Sequence, residues 1–168
     1  MTGTMRIPLA RLAALAFFAA CAAPPDDPPV PGPGPGVDLD ALLAAPTEIE
    51  IDGRRLVFDA IPWRDFMPAV GEENGSGLIV VARAEDPDEN PLPSEIGIEK
   101  LWVVQGADVW TPAEIEEGPR TWPWRRESVV RDGPRWEPGT VVHVIVQLGD
   151  AAGGTWWLRD AESIGTTW

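Results

Sequence analysis

The strongest constraint on the fold is a strict alternation of residues near the end of the chain. By period two, one face of residues 141–148 carries Val142, Val144, Val146 and Leu148. The opposite face carries Val141, His143, Ile145 and Gln147. Because successive side chains of a strand point to opposite faces, this pattern predicts a strand with one buried face. A glycine-containing turn at 149–154 and a second strand at 155–158 follow it.

Short apolar runs separated by turn residues recur through the preceding hundred or so residues. They predict strands at 48–51, 55–58, 78–84, 98–105, 109–110 and 127–130. The dipeptide Asp52-Gly53 between the first two runs is a strong hairpin signal. A total of about seven to nine short strands with almost no helix predicts an all-β fold, a β-sandwich.

Three segments carry other local signals. Residues 39–43 follow a capping Asp38 and precede Pro46, and their leucines share one face, which predicts a short helix. The capping box at 111–114, Thr-Pro-Ala-Glu, predicts about one helical turn. Residues 61–68 contain two prolines among aromatic residues and are predicted to form a loop.

The N-terminal segment has the three parts of an export signal. Arg6 and Arg11 supply positive charge, residues 12–20 form an apolar run, and small residues precede the break. Nine helical residues span roughly 14 Å, about half of a hydrocarbon core, so a transmembrane helix is not predicted. The run ends at Cys21, the only cysteine of the chain.

The sequence Phe18-Ala19-Ala20-Cys21 resembles the cleavage site of bacterial lipoprotein signals, with Phe18 where leucine is usual. The resemblance covers residues 1–21 and implies that the Cys21 thiol receives a diacylglycerol, which anchors the protein to a membrane of the cell envelope. Ala22 after the cysteine implies the outer membrane in a Gram-negative host, and otherwise the outer face of the cell membrane. An ordinary secretory signal followed by a chance cysteine is the alternative.

A Pro/Gly-rich stretch follows the cysteine. Seven of residues 22–36 are proline, which fixes φ and lacks a backbone donor, so neither helix nor sheet is predicted. We expect a disordered spacer that reaches ~45 Å; a Pro-rich recognition peptide is the alternative. The predicted organisation is a signal peptide at 1–20, a lipidated cysteine and linker at 21–36, and one β-sandwich domain at 37–168.

The charge of the chain limits its partners. The sequence has 27 acidic and 13 basic residues, a net charge of −14. Removing residues 1–20 takes away Arg6 and Arg11 and leaves a net charge of −16. A nucleic-acid partner is therefore excluded, because phosphates repel such a surface. Anionic headgroups would repel it too, which favours a domain held away from the lipid.

The closing segment resembles immunoglobulin-like sandwich modules of bacterial surface proteins. The residues that carry the resemblance are the turn at 136–140, Trp-Glu-Pro-Gly-Thr, the strand after it, and Asp150-Ala151-Ala152-Gly153. It implies that Trp102 is the buried core tryptophan of the sandwich. The inter-sheet cysteine pair of antibody domains is absent, so it implies architecture and no activity. A bacterial family of intracellular proteinase inhibitors has a similar turn-and-strand ending, without an inhibitory loop to transfer.

Candidates for chemistry are few. His143 is the only histidine, no G-x-S-x-G motif accompanies it, and a catalytic role is not predicted. Asp86, Asp88 and Asn90 match the first side-chain ligands of a calcium loop, but Pro91 stands where such a loop needs glycine. A solvated acidic loop is therefore expected, with an irregular calcium site as the alternative and no other cofactor.

Trp122 and Trp124 flank a proline and precede two arginines. They form either an exposed platform for a sugar or protein partner, or a plug at the end of the sandwich. The sequence therefore predicts a lipid-anchored envelope protein that is not an enzyme and acts as a binding or structural module for an envelope protein or a glycan. A carbohydrate-binding module that uses exposed tryptophans is the first alternative, and a secreted hydrolase the second.

Overall fold

A computed structural model describes residues 38–67 and 75–168 of the chain. The predicted signal peptide, Cys21 and the Pro/Gly linker lie outside the described residues. In the described part, the polypeptide forms one short helix and ten strands. The helix is α1 (Leu39–Leu43), and the strands are β1 (Glu48–Ile51), β2 (Arg54–Asp65), β3 (Ile79–Glu85), β4 (Gly97–Gln105), β5 (Asp108–Trp110), β6 (Glu116–Glu117), β7 (Arg125–Val130), β8 (Val141–Gly149), β9 (Thr155–Ser163) and β10 (Gly165–Thr167).

The strands form two sheets, which confirms the all-β prediction. Sheet A has the order β1-β2-β3-β7-β6, and β10 joins β2 beside β1. Sheet B has the order β5-β4-β8-β9. All neighbouring strands are antiparallel except β10, which runs parallel to β2.

A single apolar core lies between the two sheets. The alternating residues of β8 contribute to it as the sequence predicts, since Val142, Val144, Val146 and Leu148 are fully buried there. Sheet A contributes residues such as Leu56 and Val80 from the facing side. The face of β8 that faces the core is therefore the aliphatic face predicted from the period-two alternation.

Sheet B has a second buried face, because α1 covers part of its outer side. Leu42 packs there with Trp102, Val104 and Ile145. Asp38 caps the helix by accepting a hydrogen bond from the backbone N–H of Asp40 at 3.0 Å. Ile145 thus belongs to the outer face, as its position in the alternation predicts, and owes its burial to the helix.

Trp102 does not fill the place that the immunoglobulin resemblance implied. It is buried, at 5% exposure, but it lies under α1 on the outer face of sheet B. Its neighbours Leu101 and Val103 point into the sandwich instead. The tryptophans of the central core are Trp110 and Trp136.

Three local predictions differ from the structure. Residues 61–65, predicted as loop, continue β2. The capping box at 111–114 starts no helix, and Glu116 instead pairs with Val129 in the edge strand β6. The strand predicted at 155–158 extends to Ser163 as β9, and β10 follows it, so the number of strands exceeds the predicted seven to nine.

The hairpin at Asp52-Gly53 is confirmed, with positive φ at both residues.

The last strands join the two sheets. β9 lies at the edge of sheet B, and after the buried Ile164 the chain enters sheet A as β10. β1 pairs with β2 as far as Val57, and β10 pairs with it from Trp63 onward. In the gap between them, the Asp160 carboxylate of β9 accepts the backbone N–H of Ala60 at 3.0 Å. A side chain from one sheet thus satisfies an edge donor of the other.

Candidate functional site

Trp122 and Trp124 lie in the loop between β6 and β7. Their ring centroids are 5.1 Å apart and the ring planes are tilted by 47°. Trp122 is half exposed, at 50%, while Trp124 is less accessible. The two rings therefore contact each other, but they do not share one plane.

A small cleft of about 50 Å³ adjoins Trp122, lined by Pro119, Thr121, Arg125 and Glu127. The charged groups of this cleft are paired with sheet residues. Arg125 contacts Glu85 at 2.6 Å, and Glu127 contacts Arg83 at 2.7 Å. A volume of this size corresponds to about one or two waters.

The acidic loop after β3 uses its first carboxylate to shape its own turn. Asp86 is buried, and its Oδ1 accepts the backbone N–H of Asp88 at 2.8 Å and the Asn90 side-chain amide at 3.4 Å. Within residues 38–67 and 75–168, no group of three or more His, Cys, Asp or Glu side chains is arranged to hold a metal ion. The three sequence candidates for calcium thus form a hydrogen-bonded turn rather than a convergent set of oxygens.

Arg126 holds this end of the sandwich together. Its guanidinium is buried and donates to five backbone carbonyls, those of Leu92, Pro93, Ile96, Pro123 and Arg125, at 2.7 to 3.3 Å. Burial is the main cause that lowers the pKa of Arg126 below its usual value. The carbonyls belong both to the loop after β3 and to the segment that carries Trp122 and Trp124, so one side chain fixes the position of both.

A shallow groove of about 280 Å³ opens nearby, between the turns at Asp52 and Asp150 and the loop at Glu95. Ile51 and Ile96 form apolar parts of its wall. A hydrogen bond from the Ser94 hydroxyl is the largest cause that lowers the pKa of Glu95 below its usual value. The groove is therefore negatively charged at neutral pH.

His143 lies on the outer face of sheet B beside Arg159. The Arg159 Nη1 donates to the His143 Nδ1 at 3.1 Å, and the Arg159 Nε donates to the Ala45 carbonyl at 3.3 Å. The Nδ1 of the imidazole thus accepts from a guanidinium, whereas in a Ser-His-Asp triad this nitrogen donates to a carboxylate. Arg159 thereby links His143 of β8 to Ala45, in the chain that follows α1.

The face that sequence reasoning missed surrounds Trp157. Its indole stacks on that of Trp102, with centroids 4.9 Å apart and planes within 14° of parallel. In the same sheet, Lys100, Gln147 and Trp157 form one row across β4, β8 and β9. Period two places the rings of Trp156 and Trp157 on opposite faces of β9, but the stacking partner of Trp157 depends on strand register.

Among the described residues, no helix is both long and apolar enough to cross a bilayer. Neither the family models, nor the curated proteins, nor the solved structures give a match to this chain.

Proposed function

We propose that the protein is a lipid-anchored component of the cell envelope whose β domain acts by binding. The observation that carries the proposal is the apolar run at 12–20 that ends at the only cysteine, with the Pro/Gly stretch directly after it. Stable anchoring needs more than one acyl chain, and a diacylglycerol on Cys21 would supply two. Residues 22–36 would hold the acidic domain away from anionic headgroups.

We further propose that the domain is an immunoglobulin-like sandwich. The strand order supports this, because β2-β3-β7-β6 and β5-β4-β8-β9 correspond to the orders A-B-E-D and C′-C-F-G of such domains. On this correspondence, β1 and β10 are additions at the A edge. The domain would then present its loops and its outer sheet faces to partners, as such modules do.

Binding is favoured over catalysis by the surroundings of the one histidine. His143 contacts Arg159 at 3.1 Å, and this guanidinium occupies the ring nitrogen that a triad carboxylate would orient. The net charge of −14 disfavours nucleic acid, which leaves an envelope protein or a glycan as the partner class.

The anchor is tested with Cys21→Ser in the full chain. We expect the wild type to fractionate with membranes and to carry the mass of its acyl groups, because the thioether at Cys21 holds the diacylglycerol. The Cys21→Ser protein should lose that mass in intact-protein mass spectrometry and leave the membrane fraction.

Ala22→Ser is the matched control, since it changes the neighbouring residue and keeps the thiol. It should remain acylated and membrane-bound. A wild-type protein with an unmodified thiol in the soluble fraction would refute the anchor.

Glycan binding through Trp122 and Trp124 is a second candidate function. The observation in its favour is the contact between the two rings, one of them half exposed, at the rim of the sandwich. A glycan array probed with the full chain tests it: the double variant Trp122→Ala, Trp124→Ala should lose the signal. A wild type that binds no glycan contradicts this second function and leaves protein binding as the role of the domain.

A further inference from the structure

The indole of Trp157 is a flat apolar surface that is held in a fixed plane. One of its faces lies against Trp102, 4.9 Å away and nearly parallel. Trp102 is buried and is itself held under α1, whereas Trp157 remains 36% exposed. The accessible part of Trp157 is therefore its other face and its edges, and little side-chain freedom is left to lose on binding.

A β-bulge brings extra polar groups to the same face. The register between β4 and β8 shifts between Ile98 and Lys100, so Glu99 has no partner in the ladder. Bulges redirect side chains, and this one leaves Glu99 and Lys100 both exposed. The Glu99 carboxylate lies over Gly149, where a Cβ would collide with it, and its Oε2 accepts from the Gln147 Nε2 at 3.3 Å.

These groups offer both kinds of hydrogen bond beside the ring. Glu99 accepts, Lys100 donates, and the Gln147 amide does both. An apolar protein partner laid on Trp157 would strip water from all three without replacing it, which costs free energy. A ligand with a flat apolar face and a rim of hydroxyls would stack on the indole and satisfy the polar groups at once.

We propose that the outer face of sheet B carries a saccharide-binding site formed by Trp157, Glu99, Lys100 and Gln147. Its ligand class is an uncharged, β-linked hexopyranose chain, whose equatorial substituents leave flat C–H faces for the electron-rich face of the indole. The absence of charge matters, because an anionic glycan would be repelled by a protein of net charge −14. This site rests on the proposal that the domain acts by binding, and it differs from the Trp122 loop in place and in geometry.

The test is titration of the full chain with cellohexaose and with chitohexaose, in a detergent without a sugar headgroup. We expect heat of binding in calorimetry and a shift of the Trp157 indole N–H resonance in NMR spectra. Trp157→Ala should weaken binding about tenfold or more, because the stacking surface is removed. Trp168→Ala is the matched control, since it removes another exposed indole that stacks on an aromatic ring, that of Phe66, and it should leave the affinity unchanged.

Gln147→Ala keeps the aromatic surface and serves as a second variant if Trp157→Ala fails to fold. It should also weaken binding and leave the unfolding transition near that of the wild type. The proposal is overturned if neither hexaose binds the wild type, or if Trp157→Ala binds them as tightly as the wild type does; a loss of binding in Trp122→Ala alone would assign the site to the loop between β6 and β7. Neither result bears on the membrane anchor, which is decided separately by Cys21→Ser.

Discussion

Replacing Arg126 with alanine is expected to lower the free energy of unfolding by about 3 kcal/mol. The stability is lost because the carbonyls that accept from the guanidinium would have no donor. A buried acceptor without a donor costs roughly 1–3 kcal/mol when water does not reach it. Five carbonyls contact this side chain; four of them come from two different loops, and the fifth is that of Arg125 in β7. Arg126→Lys should recover only part of the stability, since a single ammonium lacks the forked geometry that reaches both loops.

Arg125→Ala is the control at the adjacent position. Arg125 is more accessible and forms an ion pair with Glu85, and such pairs contribute about 1 kcal/mol or less. Urea denaturation of the full chain, followed by circular dichroism, measures both variants. Equal and small losses for Arg125→Ala and Arg126→Ala would contradict the role assigned to the buried guanidinium.

Replacing Trp102 with alanine is expected to cost about 3–5 kcal/mol, the range for truncating a buried aromatic side chain. The side chain fills the space between α1, sheet B and Trp157. Its loss would leave a cavity under Leu42 and remove the surface on which Trp157 rests. We therefore expect α1 to loosen and the Trp157 indole to become more accessible.

Trp122→Ala provides the comparison for the same change at an exposed site, where about 0.5 kcal/mol is expected. Denaturant unfolding gives the two free energies, and hydrogen exchange at the Leu42 amide, which donates to the Asp38 carbonyl, reports on the helix. If Trp102→Ala left both the stability and the exchange rate at wild-type values, the second buried face would have no energetic role.

Period-two alternation was sufficient to predict the core strands, but the second half of β2 was wrongly predicted as a loop because it contains a proline. Pro62 suggested a loop, yet it lies in the middle of a strand. The N–H of Ala60, two residues earlier, points to the edge where Asp160 accepts it, so the missing N–H of Pro62 falls on that same edge. On that edge, no strand pairs with β2 between Val57 and Trp63. Pro62 therefore removes no hydrogen bond between strands.

The site was less predictable than the fold because it depends on register. The stacking of Trp157 on Trp102 requires β4, β8 and β9 to be aligned as they are, and no local pattern sets that alignment. The bulge at Glu99 is likewise invisible in the run of strand-forming residues around it. The capping box at 111–114 failed for the opposite reason: its local signal is clear, but Gly118 and Pro119 leave too few residues for a helix.

The parallel pairing of β10 with β2 joins the last strand of the domain to one of its first. Thr167 bonds to Asp65, 102 residues earlier in the chain. The end of β2, which pairs with β3 on one side, thus gains its second neighbour only after residues 165–167 have been synthesised. The entropy of closing so long a loop is lost before the contacts between its ends can stabilise the fold. We therefore expect folding in the millisecond-to-second range of all-β domains. For a chain that is exported as we propose, such a delay would keep the polypeptide unfolded while it crosses the membrane.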